Sequence, residues 1–104
     1  MIHKTLSTKE NKVLVRFQIP GSVWAERINL VGDFNDWDRE SLPFNHNRDE
    51  NWSVELELDR GQEYRFRYLI DGDYWGYDWH ADKHLPGIDG SCDSIVIAEI
   101  PANI

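Results

Sequence analysis

The stretch Trp52-Ser53-Val54-Glu55-Leu56-Glu57-Leu58-Asp59-Arg60-Gly61-Gln62-Glu63-Tyr64-Arg65-Phe66-Arg67-Tyr68-Leu69-Ile70-Asp71-Gly72-Asp73 decides the fold class. Trp52, Val54, Leu56 and Leu58 fall on one side, and Ser53, Glu55, Glu57 and Asp59 on the other. This is the period of a strand with one buried and one wet face. After Arg60-Gly61-Gln62 the period resumes, with Tyr64, Phe66, Tyr68 and Ile70 alternating against Arg65, Arg67 and Leu69. The short connection predicts that the two strands pair as a hairpin. Asp71-Gly72-Asp73 is read as a further turn.

Working outward, Val13, Val15, Phe17 and Ile19 alternate with Leu14, Arg16 and Gln18, and Pro20-Gly21-Ser22 ends that run. Ile28, Leu30 and Gly32 predict a short strand, closed by the turn-rich Gly32-Asp33-Phe34-Asn35-Asp36. Ser94 to Glu99, with Ile95, Val96 and Ile97, predicts the last one. Residues 36–51 and 76–93 read as irregular, and no run keeps a helical period for three turns. The expectation is an all-β, immunoglobulin-like antiparallel β-sandwich forming a single domain over residues 1–104. The Cys…Trp…Cys signature of true immunoglobulin domains is absent.

A net charge of −8 repels phosphate backbones and anionic membrane surfaces, so neither nucleic acid nor membrane is an expected partner. A neutral ligand meets no such barrier. Cys92 stands alone, so no internal disulfide forms, which suits a reducing compartment. Met1 to Thr5 lack the apolar run of a signal peptide, and no segment has the length of a membrane span. A cytoplasmic location is expected.

Enzyme chemistry finds little support. A glycosidase needs two carboxyls set about 5 to 10 Å apart across a sugar, and no short motif fixes such a pair. His80 and His84 are four apart, but Ala81 stands where a zinc-protease motif needs Glu, and Pro86-Gly87 follows closely. Asp71-Gly72-Asp73 starts like a calcium loop without the remaining ligand spacing. There is no Gly-rich phosphate loop, Asp93 beside Cys92 disfavours a thiolate, and Ser94 has no evident base. The expectation is a chain that is not an enzyme and uses no cofactor or metal.

The aromatics are the positive signal. Five Trp, four Tyr and four Phe exceed what one small core needs. Trp52 belongs to the buried face of its strand, and Phe17, Tyr64, Phe66 and Tyr68 take inward or mixed positions. Trp37 and Trp75 instead sit just after turns among polar neighbours, while Trp24 and Trp79 have no assigned role. Two readings stand for Trp37 and Trp75. Each folds back to cap the core, or each presents its ring to a ligand. A pyranose suits the second reading. Its C–H face stacks on indole, with a gain of about 1 kcal/mol per ring, and its hydroxyl edge takes directional hydrogen bonds.

Leu30-Val31-Gly32-Asp33-Phe34-Asn35-Asp36-Trp37, followed by Trp52 to Leu58 and by Tyr64 to Gly72, resembles a family 48 carbohydrate-binding module, also called an isoamylase N-terminal or early-set domain. The glycogen-binding domain of the AMP-activated kinase β subunit is similar. The likeness runs from Val13 to Ala98. It implies an immunoglobulin-like sandwich and binding of α-glucans such as glycogen, starch or maltooligosaccharides. It further implies that Trp37 is the first sugar-stacking tryptophan and Trp75 the second, displaced by one residue after the Asp-Gly turn. Arg67 matches a basic position that hydrogen-bonds sugar hydroxyls. Asp93 stands where the kinase-type domains carry asparagine, which keeps an acceptor and removes a donor. Asp89 aligns with a loop-tip leucine of those domains, so that contact is lost unless Leu85 substitutes.

Two functions follow. One is a free-standing α-glucan-binding module, with Trp37 and Trp75 stacking on glucose units and Arg67 and Asp93 binding hydroxyls. The other is a protein-interaction or accessory domain associated with family 13 glycoside hydrolases or other glycogen- or starch-metabolising enzymes, without sugar binding.

Overall fold

The computed structural model describes residues 2–46, 51–78, 80–86 and 92–100. Two antiparallel sheets enclose one core. The first has the order β1 (Ile2–Leu6), β2 (Lys12–Ile19), β5 (Trp52–Asp59), β4 (Asn45–His46). The second has the order β3 (Ile28–Gly32), β6 (Glu63–Ile70), β9 (Cys92–Ile97), β8 (Lys83–Pro86), and β7 (Tyr74–Gly76) also pairs with β6. β6 therefore holds β3 along one edge. On its other edge it holds β9 through residues 63–66 and β7 through residues 68–70. The expected all-β sandwich is the observed architecture.

The strand periods place the core as expected. Val13, Val15 and Phe17 of β2, Trp52, Val54 and Leu58 of β5, and Phe66 and Tyr68 of β6 are all buried and belong to one cluster. The rings of Phe17 and Phe66 meet edge-on with centroids 5.1 Å apart, which ties the two sheets together.

The pairing of β5 with β6 is corrected. β5 pairs with β2, from Lys12↔Asp59 to Ile19↔Trp52, and β6 lies in the opposite sheet. Alternation fixes which face of a strand is buried and leaves the neighbour open. Both strands bury their apolar faces in the same core, so they face each other across it. Arg60-Gly61-Gln62 crosses between sheets and is pinned by Arg60 N to Asn11 O, Gly61 N to Ala98 O and Ala98 N to Gln62 O, each 2.9 Å.

The hairpin partner of β6 is β7. Asp71 (φ 53°) and Gly72 (φ 75°) both adopt positive φ, as a type I′ turn requires. Asp71 Oδ1 accepts hydrogen bonds from the amides of Glu26 (2.7 Å) and Arg27 (3.1 Å), docking the turn on the β2–β3 loop. Short strands β4, β7 and β8 thus lie within or beside stretches read as irregular, and β1 was unmarked by any clear alternation.

Candidate functional site

With Phe66 and Tyr68 in the core, Arg65, Arg67 and Leu69 of β6 face outward. Cross-strand partners share a face, so the outer face of the second sheet can be read row by row. One row is Asn29, Leu69 and Trp75. The next contains Val31 opposite Arg67, with Asp93 opposite Leu85. The third contains Arg65, Ile95 and Lys83. Val31, Leu69 and Ile95 are buried on this face although they lie outside the core cluster, giving it an apolar floor.

Trp75 is 41 % exposed and has two cations near its ring. The guanidinium carbon of Arg39 lies 5.3 Å from the ring centroid and that of Arg67 5.9 Å. The Arg67 side chain is only 12 % exposed, and Asp93 is the reason it can be held there. The Asp93 carboxylate, 7 % exposed, takes Arg67 Nε on one oxygen and Arg65 Nη1 on the other at 3.1 Å. Two charge-assisted hydrogen bonds on one buried carboxylate fix the direction of both guanidiniums.

Trp37 is 36 % exposed and reached by a loop with an unusual backbone. After the 3₁₀ turn Asp33–Asn35, Asp36 (φ 54°) and Trp37 (φ 59°) are both left-handed. Asp tolerates that region. A Trp there is an outlier and persists only where its surroundings over-determine it. Asn35 supplies much of the constraint. Its Oδ1 accepts from Gly32 N (3.0 Å), and its Nδ2 lies 3.2 Å from Leu30 O, 3.1 Å from Asp38 O and 3.0 Å from Ser41 Oγ. Trp37 N donates to Gly32 O (2.9 Å), and its indole Nε1 donates to Asp33 Oδ1 (3.0 Å). The other Asp33 oxygen accepts from Arg65 N (2.8 Å), extending the β3–β6 ladder by a side chain. Gly32 permits this closure, since a Cβ would lie 2.4 Å from Arg65 O and 2.8 Å from Phe66 Cβ.

Both tryptophans are therefore anchored to β6, Trp37 through Asp33 at Arg65 and Trp75 by pairing at Leu69. Those positions are four residues apart, about 13 Å at roughly 3.3 Å per residue, with Arg67 between them. Leu85 lies opposite Asp93 and remains partly exposed. Asp89 and Trp79 lie outside the described residues. Asp33, Asn35, Arg39 and Arg65 were not singled out from sequence. Arg65 carried a signal, since it shares the outward period of Arg67. Arg39 carried none.

Elsewhere, Asp78 centres a buried polar cluster. Its Oδ2 accepts from the Tyr68 hydroxyl (2.6 Å), its Oδ1 from His80 N (2.8 Å), its amide donates to Ser94 Oγ (2.9 Å), and its carbonyl meets His84 Nε2 (2.6 Å). His80 sits on a turn and His84 on β8, so they share no helix face. No group of three metal-ligating side chains gathers among the described residues.

A two-sheet antiparallel sandwich with Trp75 and the ordered Arg65 and Arg67 on one outer face is an early-set, immunoglobulin-like domain. The chain belongs to the carbohydrate-binding module 48 family (isoamylase N-terminal domain), whose family model matches residues 11–83. It is also similar to a 1,4-alpha-glucan branching enzyme, GlgB, of Aquifex aeolicus (strain VF5), with 37 % identity over 59 residues. That match covers 51 % of this chain and 9 % of the branching enzyme, so the chain spans a small part of that relative's length. No helix among the described residues is long and apolar enough to cross a membrane.

Proposed function

We propose that the chain binds α-glucan without catalysis, with Trp37 and Trp75 as stacking platforms and Arg67 as the hydroxyl-binding side chain between them. The observation that carries this reading is the half-exposed Trp75 ring beside Arg67, whose guanidinium is held in place by the buried Asp93. A ring and a fixed donor side by side match the two chemical surfaces of a pyranose. Asp93 has a part besides the hydroxyl contact expected of it. Both its oxygens already serve Arg65 and Arg67, so it positions Arg67. The lone Cys92 fits action in the cytoplasm, on glycogen, starch or maltooligosaccharides.

Electrophoresis through native gels containing glycogen tests this reading. The wild-type chain is expected to be retarded, and Trp37→Ala and Trp75→Ala to migrate as they do without polysaccharide. A wild-type chain that glycogen does not retard would sink it.

A second reading is favoured by one observation. Trp24 is 96 % exposed, and the residue before it, Val23, lines an apolar groove of about 380 Å³ together with Ile19, Ile70 and Tyr77. An exposed ring and an apolar groove one residue apart in sequence suit a docking contact with a glycogen- or starch-metabolising enzyme. Co-purification with such an enzyme, lost on Trp24→Ala and accompanied by no glucan affinity, is the result that favours it.

A further inference from the structure

At the Asn29 end of the row Asn29, Leu69 and Trp75, across Leu69 from Trp75, lies a pocket of about 420 Å³ lined by Arg27, Asn29, Arg39, Glu40, Leu69 and Gly72. That volume is in the range of small-ligand sites. Asn29 is 8 % exposed, yet its carboxamide makes no hydrogen bond among the described residues. Asn29 lines this polar pocket, so its amide is open to a ligand or water there. Arg27 and Arg39 form no ion pair among the described residues, although the chain carries a net charge of −8. The Arg27 guanidinium lies close above Gly72, where a Cβ would approach its Nη2 to 2.9 Å, and Arg39 rests over Trp75.

We propose that this pocket is a further subsite, seating the hydroxyls of a neutral sugar unit next to the one stacked on Trp75, with Asn29 as a specificity-determining residue. The proposal rests on the α-glucan reading above. The lining mixes guanidinium donors with the Glu40 carboxylate and the two-sided Asn29 amide. A sugar hydroxyl both donates and accepts, and so can use all of them. A phosphate, being an anion, would face Glu40 and the negative charge of the whole chain. Arg39 bridges the two parts of the site, touching Trp75 and lining the pocket.

Maltoheptaose titrations of the wild type, Trp75→Ala, Asn29→Ala and Arg27→Ala, with the Asn29 side-chain amide followed by ¹H–¹⁵N NMR, test the proposal. The Asn29 amide peaks are those missing from the Asn29→Ala spectrum. Asn29→Ala and Arg27→Ala are each expected to weaken binding about three- to tenfold, with unchanged thermal midpoints because neither side chain has a polar partner among the described residues. The Asn29 peaks should shift on saturation, and millimolar inorganic phosphate should not compete. If Trp75→Ala abolishes binding while both pocket variants bind like wild type and the Asn29 peaks stay still, the subsite is overturned and the stacking reading stands. No binding by the wild type overturns both. Competition by phosphate overturns the neutral-hydroxyl chemistry.

Discussion

Trp37 shows most clearly how the fold holds a single exposed ring in place here. Its left-handed backbone costs about 1 to 3 kcal/mol, and the fold tolerates this because Asn35 and Asp33 hold the loop. A glycine would remove the strain and the ring together. Trp37→Gly is therefore expected to keep stability within about 1 kcal/mol of wild type by urea denaturation, while losing retardation by glycogen. Asp93→Ala should damage stability as well as binding. It strips a sheltered carboxylate from two guanidiniums and is expected to cost about 3 kcal/mol, read as a lower urea midpoint. Sequence named Trp37, Trp75, Arg67 and Asp93 as candidates, and the structure brings Trp75, Arg67 and Asp93 together. Sequence could not show that Asp93 is engaged by Arg65 and Arg67, because that depends on which strands lie side by side.

At the scale of elements, β6 organises the site. Its inward residues build the core and its outward residues carry the arginines, while β3, β7 and β9 hang the remaining parts on its edges. The close approach of Gly32 to β6 sets the exit angle of the Trp37 loop. Its φ of −175° suits any residue, so the restriction is steric. Gly32→Ala is expected to cost about 3 kcal/mol or more, seen as a fall in the thermal midpoint. The alternation in β2, β5 and β6 was legible because each strand has one wet face. The partner of β5 was not, because period two is equally served by a neighbour in the same sheet or a facing strand across the core. β7 and β8 escaped notice for a different reason. β7 has three residues and β8 four, all of them exposed apart from Gly76, so neither shows a buried stripe.

At the scale of the whole molecule, charge and pH separate stability from binding. Burial pushes the Asp78 carboxyl upward, but hydrogen bonds led by the Tyr68 hydroxyl and the His80 amide, with nearby positive charge, outweigh it and leave it below its ordinary value of 3.8. A carboxyl lowered in the folded state contributes stability above its unfolded pKa, and that contribution is lost as pH falls through the folded value. Burial, followed by the Asp78 charge, pushes Tyr68 well above its ordinary value, so its hydroxyl stays a donor across this range. The urea midpoint is expected to drop as pH falls below about 5, with a shallower drop in Asp78→Asn; equal slopes would contradict the assignment. The proposed glucan binding should behave differently. A glucan is neutral, so the net charge of −8 exerts no long-range pull on it, and salt has little to screen.

The central claim is that Trp75 and Trp37, ordered from β6, recognise a neutral glucan. Titration calorimetry with maltoheptaose at low and at high salt, on wild type and on Trp75→Ala, tests it most directly. The expected result is weak binding by the wild type with the same affinity at both salt concentrations, and no heat from Trp75→Ala. Wild-type protein that releases no heat, or Trp75→Ala that binds as well as wild type, would contradict it.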